Sequence, residues 1–204
     1  LAEALITLGI IGVAAALTMP VLITNVRNRQ FETGFKTAYS LMSRAVTHQI
    51  GEELYTPGEP CSSALSPNGM PICSEIFKPI FEGVEFSRNI PYKTFSNNGF
   101  DQSFMDDGCF KLKNGMLVYF ETSTYTYIPI ISVDINGKKG PNRFGYDTFS
   151  FIIDNGQVRP LGSPLTAVYN DINTHCSPGS ANNRNGAACA YRAFSEADYF
   201  KKLK

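Results

Sequence analysis

The chain has 204 residues, 18 basic and 18 acidic side chains, and a formal net charge of zero. That is room for one domain of ordinary size with an appendage, and it offers no electrostatic case for nucleic acid or an anionic surface as a partner. The apolar residues gather at the N-terminus, and the remainder is rich in Gly, Pro, Asn, Ser, Tyr and Phe, as in a loop-rich β domain.

The first element reads LAEALITLGIIGVAAALTMPVLI, Leu1 to Ile23. Ala4 to Ile23 carries no charge and is about 30 Å long as a helix, enough to span a bilayer. A secretory signal peptide fits poorly, because no basic stretch precedes the apolar run and no small-residue cleavage site closes it. A plain membrane anchor fits the length but not Glu3, since a carboxylate at the edge of a spanning helix asks for a specific partner. Beyond the run, Phe31, Phe35, Ala38, Tyr39, Leu41, Met42, Ala45, Val46 and Ile50 recur every three or four residues as a helical stripe. Arg27, Arg29, Glu32, Lys36 and Arg44 fall largely off it. The pattern predicts one helix from Leu1 to about Glu53, apolar all round in its first half and on one face in its second.

The segment LAEALITLGIIGVAAALTMP resembles the N-terminal methylation segment of the type IV pilin and pseudopilin family. The match is close over about the first 25 residues and one of layout beyond them. The resemblance implies a prepilin peptidase substrate, cut after a leader glycine and N-methylated on the new first residue, with two mature residues expected before Leu1. Glu3 then matches the glutamate that neutralises the N-terminal amine of a neighbouring subunit during assembly. Pro20 matches the family's helix-breaking proline, and Gly9 and Gly12 weaken the helix before it by ~1 kcal/mol each relative to Ala. Gly12 to Pro20 is the stretch expected to loosen in the assembled filament. The implied fold class is α+β: a long helical spine, a small antiparallel sheet and a C-terminal region closed by a disulfide. Residues 1–24 form the membrane or filament-core helix, 25–53 the amphipathic half packing on the head, and 54–204 the exported head.

From Tyr55 the chain turns to loops and strands. YTPGEPCSSALSPNGMPIC reads as a surface connection and CSEIFKPIFEGV as one or two helical turns. FKLKNGMLVYFET is a hairpin about Asn114-Gly115, and DTFSFIIDNGQVRPLG is another about Asn155-Gly156. YTYIPIISVDI lies between them, with Pro129 pointing to an edge or bulge. Four or five short antiparallel strands are expected, one face packed on the amphipathic half of the helix. In VDINGKKGPNRFGYDTF, Asp134, Asn136, Asn142 and Asp147 offer oxygen ligands on a Gly-rich loop, which suits Ca²⁺. Lys138, Lys139 and Arg143 oppose a cation there, and Asx turns alone would also hold such a loop. No cofactor is required on this reading; calcium is the one candidate.

The five cysteines contain no CxxC, and only His48 and His175 could join them, so structural disulfides in an exported domain are expected rather than zinc. Cys61 with Cys73 and Cys176 with Cys189 would each close a short loop, although spacing does not fix the connectivity. Cys109, in a strand-like run, is the one expected to be left over. The loop between Cys176 and Cys189 is expected to be exposed, with a short closing helix over Ala188 to Phe200. No catalytic motif emerges, so the chain reads as non-enzymatic. The resemblance implies a filament subunit: a helical homopolymer of this chain, held in the inner membrane until assembly machinery extracts it to the cell surface. Adhesion, motility and DNA uptake are its possible services. The alternative is a type II secretion pseudopilin forming a periplasmic piston.

Overall fold

The computed structural model describes residues 2–52, 90–121 and 130–203. Cys61 and Cys73, the helical turns expected after Cys73, and Pro129 lie outside the described residues. Helix α1 spans Ala2–Gly51 without interruption, about 75 Å of rise. In its second half Asn28, Phe31, Phe35, Ala38, Met42, Ala45 and Gln49 are buried. Those intervals alternate between three and four, which keeps one narrow seam against the head. In its first half the large apolar side chains, among them Leu5, Ile6, Leu8, Ile10, Ile11, Val13 and Leu17, are exposed.

The seam covers a five-stranded antiparallel meander, ordered as in the chain: β1 (Cys109–Lys111), β2 (Leu117–Glu121), β3 (Ile130–Asp134), β4 (Thr148–Asp154) and β5 (Gln157–Pro160). Both expected hairpins are present. At Asn155-Gly156 both central residues have positive φ, 47° and 74°, as a two-residue turn matched to strand twist requires. At the other turn the Met116 amide donates to Asn114 Oδ1 (3.2 Å), and the Leu112 amide donates to the Met116 carbonyl (2.8 Å).

Phe110, Val118, Phe120, Ile131, Val133, Phe149 and Phe151 face α1. The alternating partners Cys109, Leu117, Tyr119, Ile130 and Ile152 are also buried, under a second layer that contains Phe100, Phe104 and Phe144. The structure thus adds a layer to the expected architecture. Polar side chains on this second face are accommodated by pairing: Ser132 Oγ and Ser150 Oγ lie 2.9 Å apart, and Tyr92 Oη donates to Asp134 Oδ2 at 2.8 Å.

The C-terminal region contributes α2 (Ile172–His175), α3 (Cys189–Ser195) and a 3-10 turn, Phe200–Lys202. The expected closing helix is therefore two pieces, with Glu196 capping the end of α3 through its amide to the Arg192 carbonyl. Phe200 completes an aromatic cluster in which the Phe35 ring lies 4.8 Å from Phe149 and 5.8 Å from Phe151 and from Phe200. Asn28 Nδ2 donates to the Leu203 carbonyl at 3.0 Å, tying the end of the head to α1.

Phe35→Ala opens a cavity where helix, sheet and C-terminal turn meet, and is expected to cost about 3–5 kcal/mol. Leu17→Ala, on the exposed half of α1, is expected to leave the head unchanged. Urea unfolding in mild detergent, followed by near-UV circular dichroism, distinguishes the two.

Candidate functional site

The candidate site is the free half of α1. This helix holds a window with a mean hydropathy of 2.3, long and apolar enough to cross a membrane, and none of that window is buried. Large side chains from Leu5 to Ile23 are between 58 and 72 % exposed. So much continuous apolar surface on a protein in water calls for a covering phase. Glu3 sits exposed in the first turn, where the helix dipole favours negative charge.

Apart from the first-turn amides and the Ala16 carbonyl opposite Pro20, the backbone of this half bonds within the helix, as a lipid or protein-core environment demands. The Thr7 hydroxyl donates to the Ala4 carbonyl (3.0 Å) and the Thr18 hydroxyl to the Ala14 carbonyl (2.9 Å). Helix α1 continues through Pro20. A Cβ added at Gly9 or Gly12 would meet nothing within 4 Å. No contact among the described residues therefore requires a glycine at either position.

Cys176 and Cys189 form a disulfide, with Cα atoms 5.0 Å apart. Cys109 is buried on β1, opposite Tyr119 in the strand register, and stands outside that disulfide. The loop between the bridged cysteines departs from the exposed loop expected. Pro178, Gly179, Ala181 and Asn183 are exposed, but Asn185, Ala187 and Ala188 are buried. Asn185 Nδ2 donates to Ser96 Oγ (2.7 Å) and to the Ser177 carbonyl (2.8 Å). Arg184 donates from Nε to Asp101 Oδ2 (2.9 Å) and from Nη2 to Ser103 Oγ (3.1 Å). These contacts clamp the loop onto residues 96–103, so its polar side chains serve the fold.

The structure brings Asp134 and Asp147 into one buried polar centre. Asp134 accepts from the Asn136 amide (3.2 Å) and from Tyr92, while Asp147 accepts from the amides of Asn142 (2.9 Å) and Arg143 (2.7 Å). All four carboxylate oxygens thus receive a protein donor, as in a loop held by Asx turns. Asn136 Oδ1 and Asn142 Oδ1 are buried and meet no protein donor, and hard oxygens of this kind suit a cation such as Ca²⁺. Arg143 turns away from the centre, donating from Nε to the Thr94 carbonyl (3.3 Å) and stacking 4.0 Å over Tyr146. Tyr92 was not singled out by the sequence, because it stands in a short extended stretch with no periodic pattern around it. Asp106, Asp107 and Glu121 also bring carboxylate oxygens within 4.8 Å of one another. The first two are adjacent in the chain, but the third arrives only through β2.

Comparison with protein-family models, with curated proteins and with solved structures finds no match for the chain.

Burial lifts the Asp147 carboxyl to about 6, against the opposing pull of the Arg143 and Asn142 amides. Burial, and then the charge of Asp147, pushes Asp134 up as well. A carboxyl that holds its proton more tightly when folded contributes stability that is fully present below its unfolded pKa and is lost as pH rises through the folded value. For Asp147 the loss is about 3 kcal/mol, falling between about pH 4 and pH 6. The urea midpoint is therefore expected to decline over this window, and Asp147→Asn is expected to make the decline shallower whatever its effect on absolute stability. A midpoint that rises across the window would contradict the assignment.

Proposed function

We propose that this chain is the repeating subunit, the major pilin, of a type IV pilus-like helical filament. The observation that supports it is the division of α1: one face from Asn28 to Gln49 is buried against the head, whereas the large apolar side chains from Leu5 to Val26 are exposed among the described residues. In a filament the free halves bundle at the centre and the heads lie outside. Burying on the order of 1,000 Å² of apolar surface per helix, at ~25 cal/mol per Å², supplies about 25 kcal/mol before ordering costs. Before assembly the same half rests in the inner membrane, processed by prepilin peptidase, with the disulfide-bearing head on the oxidising side.

Glu3 pairs with the N-terminal amine of the neighbouring subunit, since an ammonium and a carboxylate in an apolar core strongly favour pairing over isolation. Gly9, Gly12 and Pro20 let α1 loosen when it leaves the membrane. Pro20 supplies no amide hydrogen to the Ala16 carbonyl, and a glycine has more conformations to regain on melting than any other residue. The role is structural rather than catalytic, and the filament serves adhesion, motility or DNA uptake.

The experiment is Glu3→Ala in the producing cell, with protein sheared from the surface compared with protein in the membrane. Loss of sheared filaments with normal membrane levels is the expected outcome, and normal filaments would overturn the proposal. In wild-type filaments the processed N-terminal residue is expected to be methylated, as read by the mass of the N-terminal peptide.

A second reading, the secretion pseudopilin, draws on the two buried amide oxygens of Asn136 and Asn142. Under it these oxygens, with Asp134 and Asp147, hold calcium, and added Ca²⁺ raises the melting temperature of wild type but not of Asp147→Asn. A melting temperature indifferent to Ca²⁺ removes this support.

A further inference from the structure

Where the head joins α1, the Asn28 contact to Leu203 sets two cations of the helix and two of the C-terminal turn around one junction. Asn28 faces the head and holds the Leu203 carbonyl. Arg27 and Arg29 stand about 100° to either side of it around the helix. Lys201 and Lys202, exposed on the 3-10 turn just before Leu203, complete the group. Among the described residues the carboxylate paired within it is Asp198, 2.8 Å from Lys202 and just over half exposed, an ion pair worth little in water. Arg27 Nε is buried and meets no protein acceptor. Beside the group opens a cleft of ≈ 430 Å³, lined by Lys202, Leu203, Tyr199, Arg143 and Arg192, the last paired with Glu196.

The depth of this collar is set by the helix. Asn28 lies five residues beyond Ile23, roughly 7–8 Å along the axis. A headgroup zone extends about 5–8 Å beyond the hydrocarbon on each side. With the apolar run in the membrane, the collar stands among headgroups. Cations flanking a spanning helix ordinarily mark its cytoplasmic side. A disulfide-bearing head belongs on the oxidising side instead, so these cations are not explained by orientation.

We propose that the base of the head, formed by Arg27, Arg29, Lys201 and Lys202, binds the phosphate oxygens of anionic phospholipids in the leaflet it faces. The inference rests on the membrane-held stage of the proposed function. Headgroup binding holds the head upright on the bilayer, with the cleft beside Lys202 open to a glycerol phosphate. Extraction of α1 breaks these contacts, so the collar resists departure from an anionic leaflet.

The test uses the whole chain and three substitutions at exposed positions, Arg29→Gln, Lys201→Gln and Lys202→Gln, with the Cys176–Cys189 disulfide checked by mass. Flotation with phosphatidylcholine vesicles first establishes membrane insertion. Native mass spectrometry from detergent then counts lipids retained when phosphatidylglycerol and phosphatidylcholine are offered in equal amounts, with and without free glycerol phosphate. Wild type and variants are expected to float alike. Wild type is expected to retain phosphatidylglycerol preferentially, the preference falling about fivefold for each cation removed. Free glycerol phosphate is expected not to displace the lipid. Equal retention of the two lipids by wild type, or an undiminished preference in the triple variant, would overturn the headgroup site while leaving the membrane reading intact. Full displacement by glycerol phosphate would reassign the site to small soluble anions. Failure of wild type to float would defeat the membrane reading and this inference together.

Discussion

The packing of one helical seam on one sheet organises the whole molecule. Phe31, Phe35, Ala38, Met42 and Ala45 meet Phe149, Phe151 and Val133 in a single core. The C-terminal turn joins that core through Phe200 and through the Asn28 contact to Leu203. The seam starts at Asn28 because no large apolar side chain before it is covered by the head. Where the seam starts therefore sets how much helix is left free, and that free length matches a bilayer.

A single continuous helix can serve both halves because its backbone hydrogen bonds are internal. It needs nothing from its surroundings except an apolar phase on the first half and a fitted surface on the second. A strand or loop could not pass from the head into lipid without exposing unpaired amides and carbonyls. Pro20 lies within the free half, away from the seam, so the bond it removes weakens the free part and leaves the packed part intact.

The head itself is built in three layers, helix, sheet and a second covering layer, and the second sheet face is the less obvious piece of construction. It carries Ser132, Asp134, Thr148 and Ser150 among apolar residues, all buried. A face of that composition reads as solvent-facing in a strand. Ser132 and Ser150 pair with each other and Asp134 accepts from Tyr92, and a hydrogen-bonded polar group is far less costly to bury than an orphan; the Thr148 hydroxyl alone of the four is buried without a partner among the described residues.

Local pattern carried a large part of this structure. The three-and-four spacing of apolar residues announced α1, Asn-Gly pairs announced both hairpins, and the uncharged run from Ala4 announced a segment requiring an apolar surrounding. All of these are properties of contiguous chain, where one residue's neighbours set its conformation. Long-range placement was not legible in the same way. The burial of the sheet's second face, the anchoring of the disulfide loop by Ser96 and Arg184, the partnership of Tyr92 with Asp134, and the Asn28 contact to Leu203 that sets the C-terminal turn beside this part of α1 all join residues tens to well over a hundred positions apart. No periodicity encodes such meetings, because they follow from how the finished layers stack. The helix, with its apolar first half and one-faced second half, was thus written in the order of the residues, whereas the junction of the C-terminal turn with α1 and the polar centre of the head came from packing.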